Sequence, residues 1–165
     1  MPAITALLHT ENDALRLGRV LETLYPCDEI VIVDHNSSDA TLAVGRDYGA
    51  RVVKARAAAS TRQYLDPAGW ILCLDPRESL SESLAASLFE LKSEWKSKSG
   101  RESHPPGNAA FSVFLREETA EGWIELPAAQ TRLVPAGWNR WNGKFPANDQ
   151  SAVALEGELL RFAFP

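Results

Sequence analysis

The sequence has 165 residues, 45% hydrophobic and 24% charged, with a formal net charge of −5, the profile of one globular domain with room for a core. So acidic a chain excludes a surface built to grip nucleic-acid phosphates, which takes dense Lys and Arg. No stretch approaches about 18 apolar residues, and no basic region followed by an apolar run opens the chain, so neither a membrane span nor a signal peptide is expected and a cytoplasmic protein is.

Residues 3–8, Ala-Ile-Thr-Ala-Leu-Leu, are a short apolar run ending in His9, Thr10, Glu11, Asn12 and Asp13. This predicts a first strand and a loop, with Asn12 or Asp13 free to cap the helix that follows. Leu17, Val20, Leu21 and Leu24 keep helical spacing until Pro26. Cys27 and Cys73 have no zinc-ligand spacing and lie beside apolar stretches, as reduced buried thiols would.

Residues 29–39 then run Glu-Ile-Val-Ile-Val-Asp-His-Asn-Ser-Ser-Asp. Four consecutive β-branched residues predict a strand covered on both faces, as in a parallel sheet flanked by helices. Asp34 falls at its carboxyl end, where open α/β sheets bind ligands. On these residues alone, Asp34 and Asp39 either meet a ligand or build an Asx turn that caps the next helix. That helix is expected from Ala40 to Tyr48, with Gly49 as its left-handed terminator and a third strand at 51–54. Residues 55–69 read as a loop with a short helical piece. Trp70-Ile-Leu-Cys-Leu-Asp75 repeats the theme of an apolar strand ending in an aspartate, so Asp34 and Asp75 share one crevice if the two strands are parallel and close.

Ser79 and Glu82 have capping-box spacing, and Leu84, Leu88, Leu91 and Trp95 give the following helix one apolar face. Residues 96–108 are nearly devoid of apolar side chains and read as a loop, either a connector or a lid. Alternation over Phe111 to Leu115 predicts a strand, a second fits Gln130 to Val134, and Glu156 to Phe164 reads as a last edge strand. Trp123, Trp138 and Trp141 are packing anchors or, if exposed, stacking surfaces for sugar rings.

The order of these elements resembles the nucleotide-binding half of family 2 glycosyltransferases with the GT-A fold, in particular the lipopolysaccharide core β-glucosyltransferases. The residues that carry the likeness are Asn12-Asp13, Asp28-Glu29-Ile30-Val31-Ile32-Val33-Asp34, Ser37 or Ser38, Asp39, Thr41, Tyr48-Gly49-Ala50 and Asp75-Pro76-Arg77-Glu78. The resemblance covers residues 3 to about 95, with weaker echoes at Arg132-Leu133 and Glu156-Gly157-Glu158-Leu159. It implies a three-layer α/β/α domain with a mostly parallel central sheet over 1–165, in which 1–95 form the nucleotide-sugar half and 109–165 a reduced acceptor half.

The implied activity is hexosyl transfer, with inversion, from a UDP-sugar to a glycan or lipid-linked acceptor in cell-envelope synthesis. Thr10, Asn12, Asp34, Asp39 and Arg62 would form the nucleotide pocket, and Asp75, Arg77 and Glu78 would serve the diphosphate or a metal. In the family two aspartates one residue apart hold Mg²⁺ or Mn²⁺. Here Arg77 replaces the second, which removes a ligand and adds a like charge, or itself neutralises the diphosphate. The family's Val-His-Glu-like element is replaced by Lys144-Phe145-Pro146, leaving Glu117, Glu118 and Asp149 as candidates for the general base. These departures favour an alternative, a catalytically impaired nucleotide-sugar-binding or assembly module. The chain ends at Phe164-Pro165, which is expected to leave little room for a membrane-docking tail. Peripheral membrane contact and the oligomeric state stay open.

Overall fold

The computed structural model describes residues 3–57, 59–65, 68–98 and 110–165, without the side chains of Arg62 and Lys98. In chain order the elements are β1 (Ile4–Thr10), α1 (Ala14–Glu22), β2 (Glu29–Asp34), α2 (Thr41–Asp47), β3 (Arg51–Lys54), a 3-10 turn (Thr61–Tyr64), β4 (Trp70–Leu74), β5 (Glu78–Leu80), α3 (Glu82–Lys98), β6 (Phe111–Thr119), β7 (Gly122–Glu125), β8 (Gln130–Pro135), β9 (Trp141–Asn142), β10 (Phe145–Pro146) and β11 (Val153–Arg161).

A large sheet runs in the order β3-β2-β1-β4-β8-β6-β11-β5, with β7 paired to β6. Strands β3, β2, β1 and β4 are mutually parallel. β8 is antiparallel to β4 and to β6, β11 is parallel to β6, and β5 is antiparallel to β11. Because β1 lies between β2 and β4, the chain reverses its direction of travel across the sheet there. Such a switch point leaves a crevice outside the carboxyl ends of the strands.

The strand pleat divides the core into two layers. Ile4, Ala6, Leu8, Ile32, Leu72 and Leu74 pack with Leu17, Val20 and Leu21 of α1 and Leu84, Leu88 and Leu91 of α3. Leu7, Val31, Val33, Ile71 and Cys73 face the other way, against Tyr64, Ala136 and Trp138. All three described helices thus cover one face, and irregular segments around the 3-10 turn and residues 136–152 cover the other. The apolar runs of β1 and β2 both follow from burial on two faces.

Three boundaries differ from the sequence reading. Ser79 does not cap α3: it lies in β5, opposite Leu160 of β11, and Ser81 takes the role by accepting the Leu84 N–H at 3.1 Å. β11 is not an edge strand, because β5 pairs with its far side. The polar segment is helical as far as Lys98, and residues 99–108 lie outside the described residues. Trp138 is buried and donates its indole N–H to the Arg140 carbonyl at 2.8 Å. Trp141 similarly donates to the Trp138 carbonyl, so both pack, while Trp123 is exposed on its hairpin.

Within β11 the register shifts between Ala154 and Glu158. Gly157 occupies this bulge at φ +95°, where an added Cβ would sit 2.2 Å from the Leu84 backbone nitrogen. The close approach seats β11 on the first turn of α3. Gly157→Ala is expected to lower unfolding free energy by about 2–4 kcal/mol, combining backbone strain with overpacking. Gly49→Ala, at φ +78° but with nothing within 4 Å of its Cβ, should cost only about 1 kcal/mol. Urea denaturation of the two variants measures the difference.

Candidate functional site

The carboxyl ends of β1, β2 and β4 carry Thr10, Asp34 and Asp75 along one edge, with Thr10 opposite Asp34 in register. The expected convergence of Asp34 and Asp75 is present, with β1 between their strands. Two loops wall this crevice, 11–13 after β1 and 35–40 after β2. Asn12 and Asn36 adopt left-handed backbone conformations, φ 53° and 61°, which Asn tolerates better than other non-glycine residues. Asn12 Oδ1 accepts from the Ser38 N–H at 2.8 Å, and the Asn12 N–H donates to Ser37 Oγ at 2.9 Å. Each loop therefore fixes the other.

Asp34 is only 3% exposed. Its carboxylate accepts from Thr10 Oγ1 at 2.7 Å, Ser37 Oγ at 2.6 Å and the Ser37 N–H at 2.9 Å. Burial pushes this carboxyl up, but these three donors outweigh it and hold the pKa below its ordinary value. Asp39 accepts from the hydroxyl and N–H of Thr41 and from the Ala14 N–H at 3.2 Å. It supplies the start of α1 with the acceptor that Asp13, at the N-cap position, does not give. Asp34 thus accepts from three residues ahead within its loop, and Asp39 from two residues ahead in an Asx turn at the start of α2, while Asn12 and Asn36 lie on the exposed edge of the loop pair. Arg62 belongs to the 3-10 turn, and its side chain lies outside the described residues.

Below this edge, on the face away from the helices, His9 Nδ1 meets His35 Nε2 at 2.8 Å. Burial, then His35, then Lys144 push the His9 pKa down to about 4. Lys144 lies at the turn between β9 and β10, so that hairpin closes this side of the crevice. Neither histidine stands out in the sequence, since each is a lone polar residue just past a strand core.

Asp75 and Arg77 form a two-residue clamp. Asp75 Oδ1 accepts from the Arg77 N–H and Nε at 2.9 Å, and Oδ2 accepts from Nη2 at 3.3 Å. Burial raises the Asp75 pKa, and the Arg77 hydrogen bonds and charge lower it further than burial lifts it. Glu78, expected beside the diphosphate or a metal, is instead 0% exposed. Its Oε1 accepts from Arg132 Nη1 at 2.7 Å and from the Asp75 N–H at 2.8 Å, and its Oε2 from Arg132 Nη2 and Arg161 Nη2, each at 2.9 Å. A carboxylate with both oxygens committed to two guanidiniums is a structural hub, and it is withdrawn from ligand contact. Arg132 is the residue the sequence reading undervalued: a charge within the apolar run of β8 signals a buried ionic partner.

A divalent cation does not fit this donor set. Arg77 covers Asp75, Glu78 is consumed by arginines, and among the described residues no group of three His, Cys, Asp or Glu could hold a metal. Of the candidate bases, Glu117 adds its charge to the Asp75 hydrogen bond and the Asp75 and Glu78 charges that raise the Arg77 pKa. Glu118 accepts the Ala163 N–H at 3.2 Å. Asp149 is held by Ser151 and by Arg140 Nη2 at 2.6 Å. These bonds depress its pKa, making it a weak base. Cys27 and Cys73 are free thiols, each pushed up to about 12 by burial. No described helix is long and apolar enough to cross a membrane.

Two outcomes are expected. Glu78→Ala leaves Arg132 buried without its carboxylate and should cost about 3–5 kcal/mol in chemical denaturation. The unfolded chain takes up a proton on His9 near pH 6.5, whereas the folded chain does so only near 4. Stability should therefore fall as pH drops from about 6.5 to 4, and His9→Gln should flatten the slope of the urea midpoint over that window.

No family model matches the sequence. An uncharacterized glycosyltransferase of Rickettsia felis is 32% identical over 90 residues, 51% of this chain and 32% of that protein. One of Rickettsia bellii is 31% identical over 87 residues, 49% and 30% of the two chains. The chain thus spans about a third of the length of the curated relatives it matches. Among solved structures, residues 1–349 of S. aureus TarS superpose with a TM-score of 0.60 over 98% of this chain and 60% of that one, at 12% identity. The architecture is the expected GT-A fold, α/β with a mostly parallel central sheet, and the sequence likeness is to glycosyltransferases.

Proposed function

We propose that this chain binds a UDP-sugar across the carboxyl ends of β1, β2 and β4 and transfers the sugar, with inversion, to a glycan or lipid-linked hydroxyl, in family 2 chemistry of the lipopolysaccharide or cell-envelope type. The observation that carries this reading is the crevice at the switch point beside β1, with its interlocked loops on one side and the Asp75–Arg77 clamp on the other. Thr10, Asp34 and Asp39 act by holding the loops in shape. Asn12 and Arg62 meet the nucleotide. Residues 1–95 supply the donor side and 109–165 the acceptor side.

Chemically, an acceptor oxygen attacks the anomeric carbon as the bond from that carbon to the diphosphate breaks. UDP leaves with the bonding electrons, and Glu117 takes the acceptor proton. The departing diphosphate needs positive charge, and Arg77, oriented by Asp75, is the cation at hand, since a guanidinium fork matches phosphate oxygens. A second reading, a nucleotide-sugar-binding module without turnover, is favoured by the engagement of Glu118 and Asp149 in other bonds.

Calorimetry with UDP should give saturable binding that is unchanged by EDTA or Mn²⁺. Arg77→Ala should weaken it about tenfold or more, the value of a hydrogen bond to a charged group. No UDP binding by the wild-type chain would sink the donor assignment, and binding that requires Mn²⁺ would move the diphosphate role from Arg77 to a metal. Saturable binding with neither hydrolysis nor transfer over a panel of UDP-sugars would select the module reading.

A further inference from the structure

A cavity of about 250 Å³ is lined by Gln130, Arg132, Asn142, Phe145, Asn148 and Arg161 among others. β8 runs antiparallel to β4, so its first residues lie beside the carboxyl end of β4, and β11 brings Arg161 to the same edge. The pocket therefore flanks the crevice on the side away from Asp34.

Its polarity is fixed by the groups behind it. Arg132 can only donate, so the Gln130 amide must turn its oxygen to Arg132 Nη2, 2.9 Å away, and its NH₂ group elsewhere. Asn148 is oriented likewise: its Oδ1 accepts the Thr131 N–H at 3.1 Å. Among the described residues no acceptor takes the NH₂ hydrogens of Gln130 or Asn148. The side-chain oxygens of Gln130 and Asn148 are spent on the frame, and their NH₂ groups are left over. Arg161 uses Nε and Nη2 on Glu78, and its Nη1 adds further donors. Behind the wall the Arg132 and Arg161 guanidiniums share the Glu78 carboxylate.

A cavity that offers unused N–H donors, with two guanidiniums in its wall, suits a ligand rich in acceptor oxygens. We propose that it is an oxyanion site, taking a carboxylate or phosphate group through Asn148 Nδ2, Gln130 Nε2 and Arg161. The binding stands on the pocket alone. Its role rests on the transferase reading, under which the anion belongs to the acceptor and the chain glycosylates an acidic substrate.

The test is side-chain amide NMR of the full chain, titrated separately with inorganic phosphate and with malonate against sodium chloride at equal ionic strength. Saturable shifts of the Asn148 and Gln130 NH₂ signals with phosphate assign a phosphate site, and with malonate a carboxylate site. Asn148→Asp keeps the acceptor for the Thr131 N–H while replacing the donor by a negative charge. It should weaken binding about tenfold or more. Asn142→Asp, on the exposed rim, should weaken it less and serves if the first variant does not fold. Neither ion giving saturable shifts at tens of millimolar, chloride giving the same shifts, or both variants binding as wild type would overturn the site. UDP calorimetry on the same samples keeps the two readings apart: lost UDP affinity with intact anion shifts refutes the donor assignment alone, and the reverse refutes the pocket alone.

Discussion

The Glu78 carboxylate is the interaction on which the functional edge depends. It sits with no exposed surface at the start of β5, just past the end of β4, and its two oxygens gather Arg132 from β8 and Arg161 from β11. Bringing three charges out of water is expensive, and the bidentate geometry with Arg132 offsets that cost. What the network adds is position. The carboxyl end of β4 is tied to the first residues of β8 and the last of β11, so the parallel half of the sheet and the mixed half present one continuous rim. Phe145 stacks under the Arg132 guanidinium, 4.2 Å from its centroid, extending the same tie to the β9–β10 hairpin and to Lys144 near His9.

On the other side of β1 the fastening is a set of hydrogen bonds among two aspartates and short polar side chains of two loops. Asp34, Ser37, Thr10, Asn12, Ser38, Asp39 and Thr41 exchange hydrogen bonds across two loops, and neither loop has a regular ladder of its own. Loops stay in place only when their backbone groups find partners, and here short polar side chains supply them. The crevice lies between a rigid polar weave on the β2 side and an ionic frame on the β8 side.

Under the proposed function Arg77 sets what the site can do: held by Asp75, it builds into the chain a positive charge that a bound metal would otherwise bring to the same oxygens. The surplus donors at Gln130 and Asn148 repeat the pattern at smaller scale: each cation-facing or amide-facing oxygen is committed inward, and hydrogens are left facing solvent.

The sequence by itself determined the parallel half of the sheet, the two acid-ended strands, the α1 and α2 helices and the loop residues between them. Those features are local: β-branched runs, 3.6-residue spacing, a glycine at a helix end and short polar side chains bonding a few residues away all act within one segment or between neighbours. Only the tertiary structure decided that Glu78 belongs to a buried ionic hub, that Asp39 caps α1 across a loop, that Ser79 lies in β5 opposite β11, and that His9 meets His35. Each depends on a partner 25 to 83 residues away. A charge or hydroxyl carries no sign in its own neighbourhood of which distant group will claim it, because that choice is made by strand order and register after the core has formed.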